Sequence, residues 1–306
     1  MYEHDLLAGH PASEELSREL VLADAQASCA RSWADIGIAQ PQGWDRQQRA
    51  AQGASCKEAS AEKVLQSFNT WAFKREQPSD PPLMLAFIAR AIRRSQPLSF
   101  VLYWGKGPRC DLAQPDIQCL DFLASLSDRV AKTHAPGAAL NLVFTDTHAR
   151  LNGHLRADLR RYFSQVDAAA RQRGFDTCWL SEIASVPQIA AEKSRLNDEM
   201  VPQHTLTLLI ASARKWYRGC GSPEQGAVTY YRMNMLERRA VELAFPCSIF
   251  LTFNGSELRN LLPEHLPIFY MYSLRRGTSV KPWFLPAQPT QCTPASGGCA
   301  AACQNA

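Results

Sequence analysis

Leu98-Ser-Phe-Val-Leu-Tyr-Trp104 and Ala138-Ala-Leu-Asn-Leu-Val-Phe-Thr145 are the two runs whose reading decides the fold. Both are short and apolar, with the length and composition of buried strands. Between them Ile117, Leu120, Phe122, Leu123, Leu126 and Val130 recur at helical spacing. Strand, helix, strand is a βαβ unit, and its parallel strands end on one edge of the sheet, where ligands bind. Each run ends in polar residues. Lys106 and Arg109 follow the first; Asp146, His148, Arg150, Asn152 and His154 follow the second. Lys106 and Asp146 are therefore expected to face one crevice.

The flanking sequence extends the pattern. Residues 83–94 read as an amphipathic helix leading into the first strand, and 155–173 as a helix after the second. Residues 177–180 give a short third strand. The stretch 190–209 is helical but holds Pro202, which divides it in two. A further helix starts at Pro223 and runs to about Phe245, where Pro246 ends it. Residues 248–253 and 266–273 supply a fourth and a fifth strand. Alternating strands and helices predict an α/β, Rossmann-like domain with a largely parallel sheet flanked by helices. Its expected extent is residues 81–286. Residues 1–80 read as an N-terminal helical region, with helices at 11–35 and 62–73 around a loop at 40–60. Residues 287–306 read as a flexible tail carrying Cys292, Cys299 and Cys303.

The chain has 306 residues, 46% of them hydrophobic, enough to bury a sizeable core. Its net charge of +4 is too weak to argue for nucleic acid. No run reaches the roughly 18 apolar residues of a membrane helix. The start, Met-Tyr-Glu-His-Asp-Leu-Leu, lacks the basic and long apolar regions of a signal peptide. The expectation is a cytoplasmic protein with neither membrane nor nucleic-acid partner. The seven scattered cysteines then read as small buried hydrophobes or free thiols. The three in the tail have no nearby His or fourth Cys and cannot complete a zinc site alone.

Gly105-Lys-Gly-Pro-Arg109 is not a Walker loop, and no Gly-x-Gly-x-x-Gly follows the first strand. A Lys and an Arg flanked by Gly at a strand end suit a phosphate or carboxylate; the bland alternative is a surface turn with two ordinary cations. Thr145-Asp-Thr-His-Ala-Arg-Leu-Asn-Gly-His154 is denser in chemistry. His148 can serve as a base with Asp146 as its orienter, or the two can be metal ligands. The structural alternative is a polar loop in which Asn152 or His154 caps the next helix. Asn254-Gly-Ser256 offers backbone N–H groups and polar side chains after the fourth strand. No Gly-x-Ser-x-Gly elbow supports a serine hydrolase.

Several pieces together resemble a known family. They are the strand and Lys-containing turn at 100–109, a helix opened by Asp116, His134-Ala-Pro-Gly-Ala, and the Thr-Asp-polar turn from Thr145. Glu237-Arg-Arg-Ala240, Phe245-Pro246 and Lys281-Pro-Trp283 follow. The chain resembles the isocyanide (isonitrile) synthases of the pyoverdine/dityrosine biosynthesis type over roughly residues 83–285. It departs from them at Lys106-Gly-Pro-Arg109, Thr145-Asp-Thr147, Asn254 and Phe284. The resemblance implies an amino-acid-modifying enzyme of secondary metabolism that needs no metal or cofactor. Its partners would be an amino acid and, as co-substrate, ribulose-5-phosphate. The catalytic expectation falls on Lys106, Asp146 and His148. The substrate-binding expectation falls on Arg109, Arg150, Asn152, His154, Asn254, Ser256, Arg275 and Lys281. A Rossmann-like transferase using aminoacyl-tRNA or S-adenosylmethionine is the second enzyme reading. A non-catalytic α/β binding module is the third.

Overall fold

The computed structural model describes residues 60–105 and 111–271. The regions expected at 1–59, the turn carrying Lys106 and Arg109, and everything after Met271, including Arg275, Lys281 and the Cys-containing tail, lie outside the described residues.

Among the described residues five strands form one sheet: β1 (Leu98–Trp104), β2 (Ala138–Phe144), β3 (Asp176–Trp179), β4 (Ile249–Thr252) and β5 (Ile268–Tyr270). Their order is β3-β2-β1-β4-β5, and every neighbouring pair is parallel. The two runs read first in the sequence pair in register from Leu98↔Ala138 to Trp104↔Phe144. This is the Rossmann-like parallel sheet that the alternation of strands and helices predicts. The order reverses between β1 and β4, so the crevice of such a fold opens beyond their carboxyl ends.

Both faces of the sheet are covered, which is why its strands read as nearly continuous apolar runs. Phe100, Leu102 and Trp104 of β1 share one core with Leu140, Leu142 and Phe144 of β2. Helices α1 (Ala61–Phe68), α3 (Gln114–Ala131) and α5 (Arg156–Arg171) close that side. Val101, Tyr103, Val143 and Phe250 point the other way. They meet Leu180 and Ile183 of α6 (Leu180–Ile183), Ile189 of α7 (Pro187–Asp198), and Ala240, Val241 and Ala244 of α9 (Pro223–Ala244). Helix α2 (Pro81–Arg93) starts where the chain dictates. Asp80 accepts from the Leu83 N–H at 2.9 Å, and two prolines occupy the first turn, where no intrahelical N–H is needed.

The helical stretch around Pro202 is two helices, α7 and α8 (Gln203–Trp216), as that proline predicts. The helix read at 62–73 stops at Phe68, with Asn69 as its C-cap. Residues 74–79 then run beside β5: the Arg75 N–H donates to the Tyr270 carbonyl and the Ser79 N–H to that of Ile268. This covers the exposed edge of the sheet. Cys119, Cys178 and Cys220 are free thiols, whereas Cys247 is disulfide-bonded, against the free-thiol expectation. Among the described residues no helix is long and apolar enough to cross a membrane.

Helix α9 is the longest of the described helices. Its 22 residues span about 33 Å, longer than the sheet is tall. Ser222 starts it with a reciprocal cap: the Gln225 N–H donates to the Ser222 hydroxyl, and the Ser222 N–H to the Gln225 side chain. Its C-terminal half packs on the sheet. Its N-terminal half joins α7 and α8 in a separate apolar cluster through Ala227, Tyr230, Tyr231 and Met235. The helix delivers the chain to the start of β4, so it runs against the strands and its first half rises past their carboxyl ends.

Candidate functional site

The segment after β2 folds as a short helix, α4 (Asp146–Leu151), where the sequence suggested a loop. Thr145 anchors it at the strand end: its N–H and its hydroxyl both donate to the Trp104 carbonyl of β1, at 2.9 and 3.1 Å. Helix α5 begins at Arg156 with Leu155 as its N-cap and no side-chain cap, so neither Asn152 nor His154 has the capping role considered for them.

Asp146, Thr147 and His148 are all buried. His148 Nδ1 lies 2.7 Å from Glu237 Oε1, and the Thr147 hydroxyl donates to the same carboxylate oxygen at 2.5 Å. A carboxylate only accepts, so the Nδ1 proton points at Glu237 and the second ring nitrogen is the basic one. Glu237 comes from α9 and is 1% exposed. Burying a carboxylate costs several kcal/mol unless donors meet it, and the hydroxyl and the imidazole supply them. The arrangement is that of a base held by an orienting acid.

Asp146, expected to orient His148, does something else. Its Oδ1 accepts from the Ser181 N–H of α6 at 3.0 Å, and its Oδ2 lies 3.7 Å from the Arg150 guanidinium one turn on. The carboxylate that meets His148 is that of Glu237, 2.7 Å away. Two further aromatic groups complete this region. The Tyr230 ring stacks on the His148 imidazole at 5.5 Å, and its hydroxyl donates to Asn152 Oδ1. Burial pushes the Tyr230 phenol up to about 12, so it stays a donor at neutral pH. Tyr103, at the end of β1, is buried; desolvation first, then the negative charges of Glu237 and Glu242, push its phenol well above its ordinary value.

The remaining expected residues divide. Asp146, His148, Arg150 and Asn152 meet at one place. His154 follows them after Gly153 and is half-buried, with burial lowering its imidazole and the Asp158 charge opposing. Asn254 follows β4, its N–H donating to the Thr252 hydroxyl at 3.1 Å. Ser256 gives both its N–H and its hydroxyl to Glu76, at 3.0 and 2.8 Å. Because β1, β2 and β4 are parallel, Gly105, Thr145 and Asn254 all lie at one edge of the sheet, as the βαβ reading requires. Gly105 itself sits at φ +82°, and a Cβ there would lie 2.8 Å from the Phe163 ring.

Sequence reading gave no role to Glu237, Thr147, Tyr230 or Tyr103. A signal for the helix residues exists: Tyr230, Asn234, Glu237, Val241 and Ala244 follow core spacing on α9 and are all buried. A polar member of such a stripe needs a polar partner. Among the described residues, no three His, Cys, Asp or Glu side chains are grouped as metal ligands would be.

Neither a protein-family model nor a curated protein sequence matches the chain. Solved structures do match. The PvcA protein of Pseudomonas aeruginosa superimposes with a TM-score of 0.50 at 14% identity, over 73% of this chain and 87% of that one. Tyrosyl-tRNA synthetase of Archaeoglobus fulgidus, complexed with L-tyrosine, gives a TM-score of 0.40 at 11% identity, over 68% of this chain and 62% of that one. At such identity the likeness to PvcA shows a shared fold.

Proposed function

We propose that this protein is an enzyme acting on the amino group of an amino acid, with His148 as the base and Glu237 as its orienter. The observation that carries the reading is the buried His148–Glu237 pair at the carboxyl edge of the sheet, 2.7 Å apart. Two further observations support it. The sequence pieces resemble isocyanide synthases, and the fold is shared with PvcA.

The chemistry needs such a pair. An amino acid's amine is an ammonium at neutral pH and has no lone pair to attack with. His148 takes a proton through the ring nitrogen opposite Nδ1, and Glu237 stabilises the imidazolium that forms. The freed amine attacks the carbonyl carbon of a co-substrate, and loss of water gives an imine. Ribulose-5-phosphate is the co-substrate in this reading, with Lys106 and Arg109 binding its phosphate and Asp146 near the amine. Arg150, Asn152, His154, Asn254, Arg275 and Lys281 belong to the same proposed site.

The test is thermal stabilisation by single amino acids, ribulose-5-phosphate, S-adenosylmethionine and an aminoacyl ester, followed by mass spectrometry of products. A ligand at a hundred times its dissociation constant adds about 2.7 kcal/mol. Stabilisation by an amino acid together with the sugar phosphate, and a product bearing a new carbon on nitrogen, is the expected result. Stabilisation by S-adenosylmethionine or the ester alone favours a transferase instead.

A further inference from the structure

We propose that Tyr230 is a positioning residue for this site: its ring stacks near-parallel on His148, holds the imidazole on Glu237 and favours its charged form. The inference rests on the reading of His148 as the base. The two rings are 5.5 Å apart between centroids and only 14° from parallel. A cation within about 6 Å of an aromatic face is stabilised by the ring's negative surface. An imidazolium would gain here; a neutral imidazole gains much less. The proton that His148 takes in the reaction is therefore stabilised by Glu237 in the ring plane and by Tyr230 from above.

Tyr230 is itself held from several sides. Its hydroxyl donates to Asn152 Oδ1, which sits at the end of the helix carrying His148. Its carbonyl accepts from Asn234 Nδ2 at 2.8 Å, and the edge of Tyr217 packs on it at 5.7 Å. Gly226, one turn earlier on α9, lets Tyr217 come this close: a Cβ there would meet Tyr217 Cδ1 at 2.7 Å. A residue bonded at its hydroxyl and its carbonyl and packed against a further ring suits the orienting of a neighbour. Ionisable groups on α4 and the segments packed against it include Asp146 and Arg150 of α4 itself, Asp158 of α5, Glu182 of α6, Glu237 and Arg238 of α9, and Arg218, whose N–H donates to the Leu151 carbonyl and whose charge acts on Tyr230. Substitutions at Tyr230 leave all of these in place.

The experiment is an NMR titration of His148, its resonance assigned with His148→Gln, in the full-length wild type and in three variants. Tyr230→Phe keeps the ring and loses the hydroxyl, and should leave the titration of His148 within a few tenths of a unit. Tyr230→Leu and Tyr230→Met remove the ring, the second filling the gap flexibly, and should lower the His148 pKa by roughly 0.5–1.5 units. The acid limb of the kcat profile should move down by the same amount. An unchanged His148 titration in a folded ring-less variant overturns the inference. The titration needs no substrate, so it is independent of the functional reading. Full turnover in His148→Ala would end that reading and leave the titration result standing.

Discussion

Glu237 and His148 are 89 positions apart in the chain and 2.7 Å apart in space. The strand that sets down α4 and the long helix that overshoots the sheet bring them together. Each has little reason to be buried alone, since either charge would pay an unrecovered desolvation cost. Their roles should separate on mutation. His148→Ala should lower kcat by about 10²–10⁴-fold, as loss of a general base does, with substrate binding kept. Glu237→Gln should lower kcat less and leave the fold intact. Glu237→Ala removes one partner of a buried pair and should cost roughly 3–5 kcal/mol. That is a fall in Tm of roughly 6–20 °C for a domain of this size. Single-turnover rates and melting curves check both. Wild-type kcat in Glu237→Gln and Glu237→Ala alike would remove Glu237 from the mechanism.

A second buried network should be purely structural. On the opposite face of the sheet the Trp104 indole donates to the Tyr162 hydroxyl at 3.1 Å. That hydroxyl donates to Asp116 Oδ1 at 2.8 Å, and Asp116 Oδ2 accepts from the Ala113 N–H that opens α3. Tyr162→Phe takes away a hydrogen bond to a buried carboxylate and should cost about 1.5–3 kcal/mol. Denaturant melts should show this loss while the kinetic constants stay within about twofold. A fall in kcat at unchanged stability would place Tyr162 in the site instead.

How far the sequence reaches can be judged from these residues. The βαβ unit was legible because its strands are buried on both faces and so read as unbroken apolar runs, and Pro223, Pro246 and Pro202 mark helix limits. The place of His148 followed from that unit. Its partner did not. Asp146 stands two residues away in sequence and looks like the orienter, yet its position at the start of α4 turns it toward the Ser181 N–H. The true partner comes from a helix whose length carries it past the sheet, and length relative to a sheet is a property of the assembled fold. Glu237-Arg-Arg-Ala240 stood out in the sequence, but only pairing in three dimensions gives its glutamate a role.

Ser256 tests the difference between a polar residue near a site and one within it. Both of its donors are taken by Glu76, which thereby fixes the start of the 3-10 turn Ser256–Leu261 to the segment beside β5. Ser256→Ala should cost about 0.5–1 kcal/mol, the loss of one exposed hydroxyl bond at the first residue of that turn. KM and kcat should be unchanged within about twofold. A tenfold rise in KM at unchanged Tm would return Ser256 to the substrate.

His134 gives a prediction in pH. Its Nε2–H donates to the Gln96 carbonyl at 2.8 Å, tying the end of α3 to the residue before Pro97 and β1. Burial lowers its pKa below the ordinary imidazole value, and the hydrogen bond to Gln96 opposes only in part. The unfolded chain therefore binds a proton there more readily than the folded one. The stability due to neutral His134 is complete above the ordinary pKa of about 6.5. It falls as pH drops from there through the lowered folded value, by at most about 1.4 kcal/mol per pH unit for one proton. His134→Gln keeps an N–H donor without the titration. It should be somewhat less stable than wild type at pH 7.5, and the gap should narrow or reverse toward pH 5. Chemical denaturation of both proteins across that range measures the gap directly. A gap that stays constant with pH would mean that His134 titrates alike in the folded and unfolded chains.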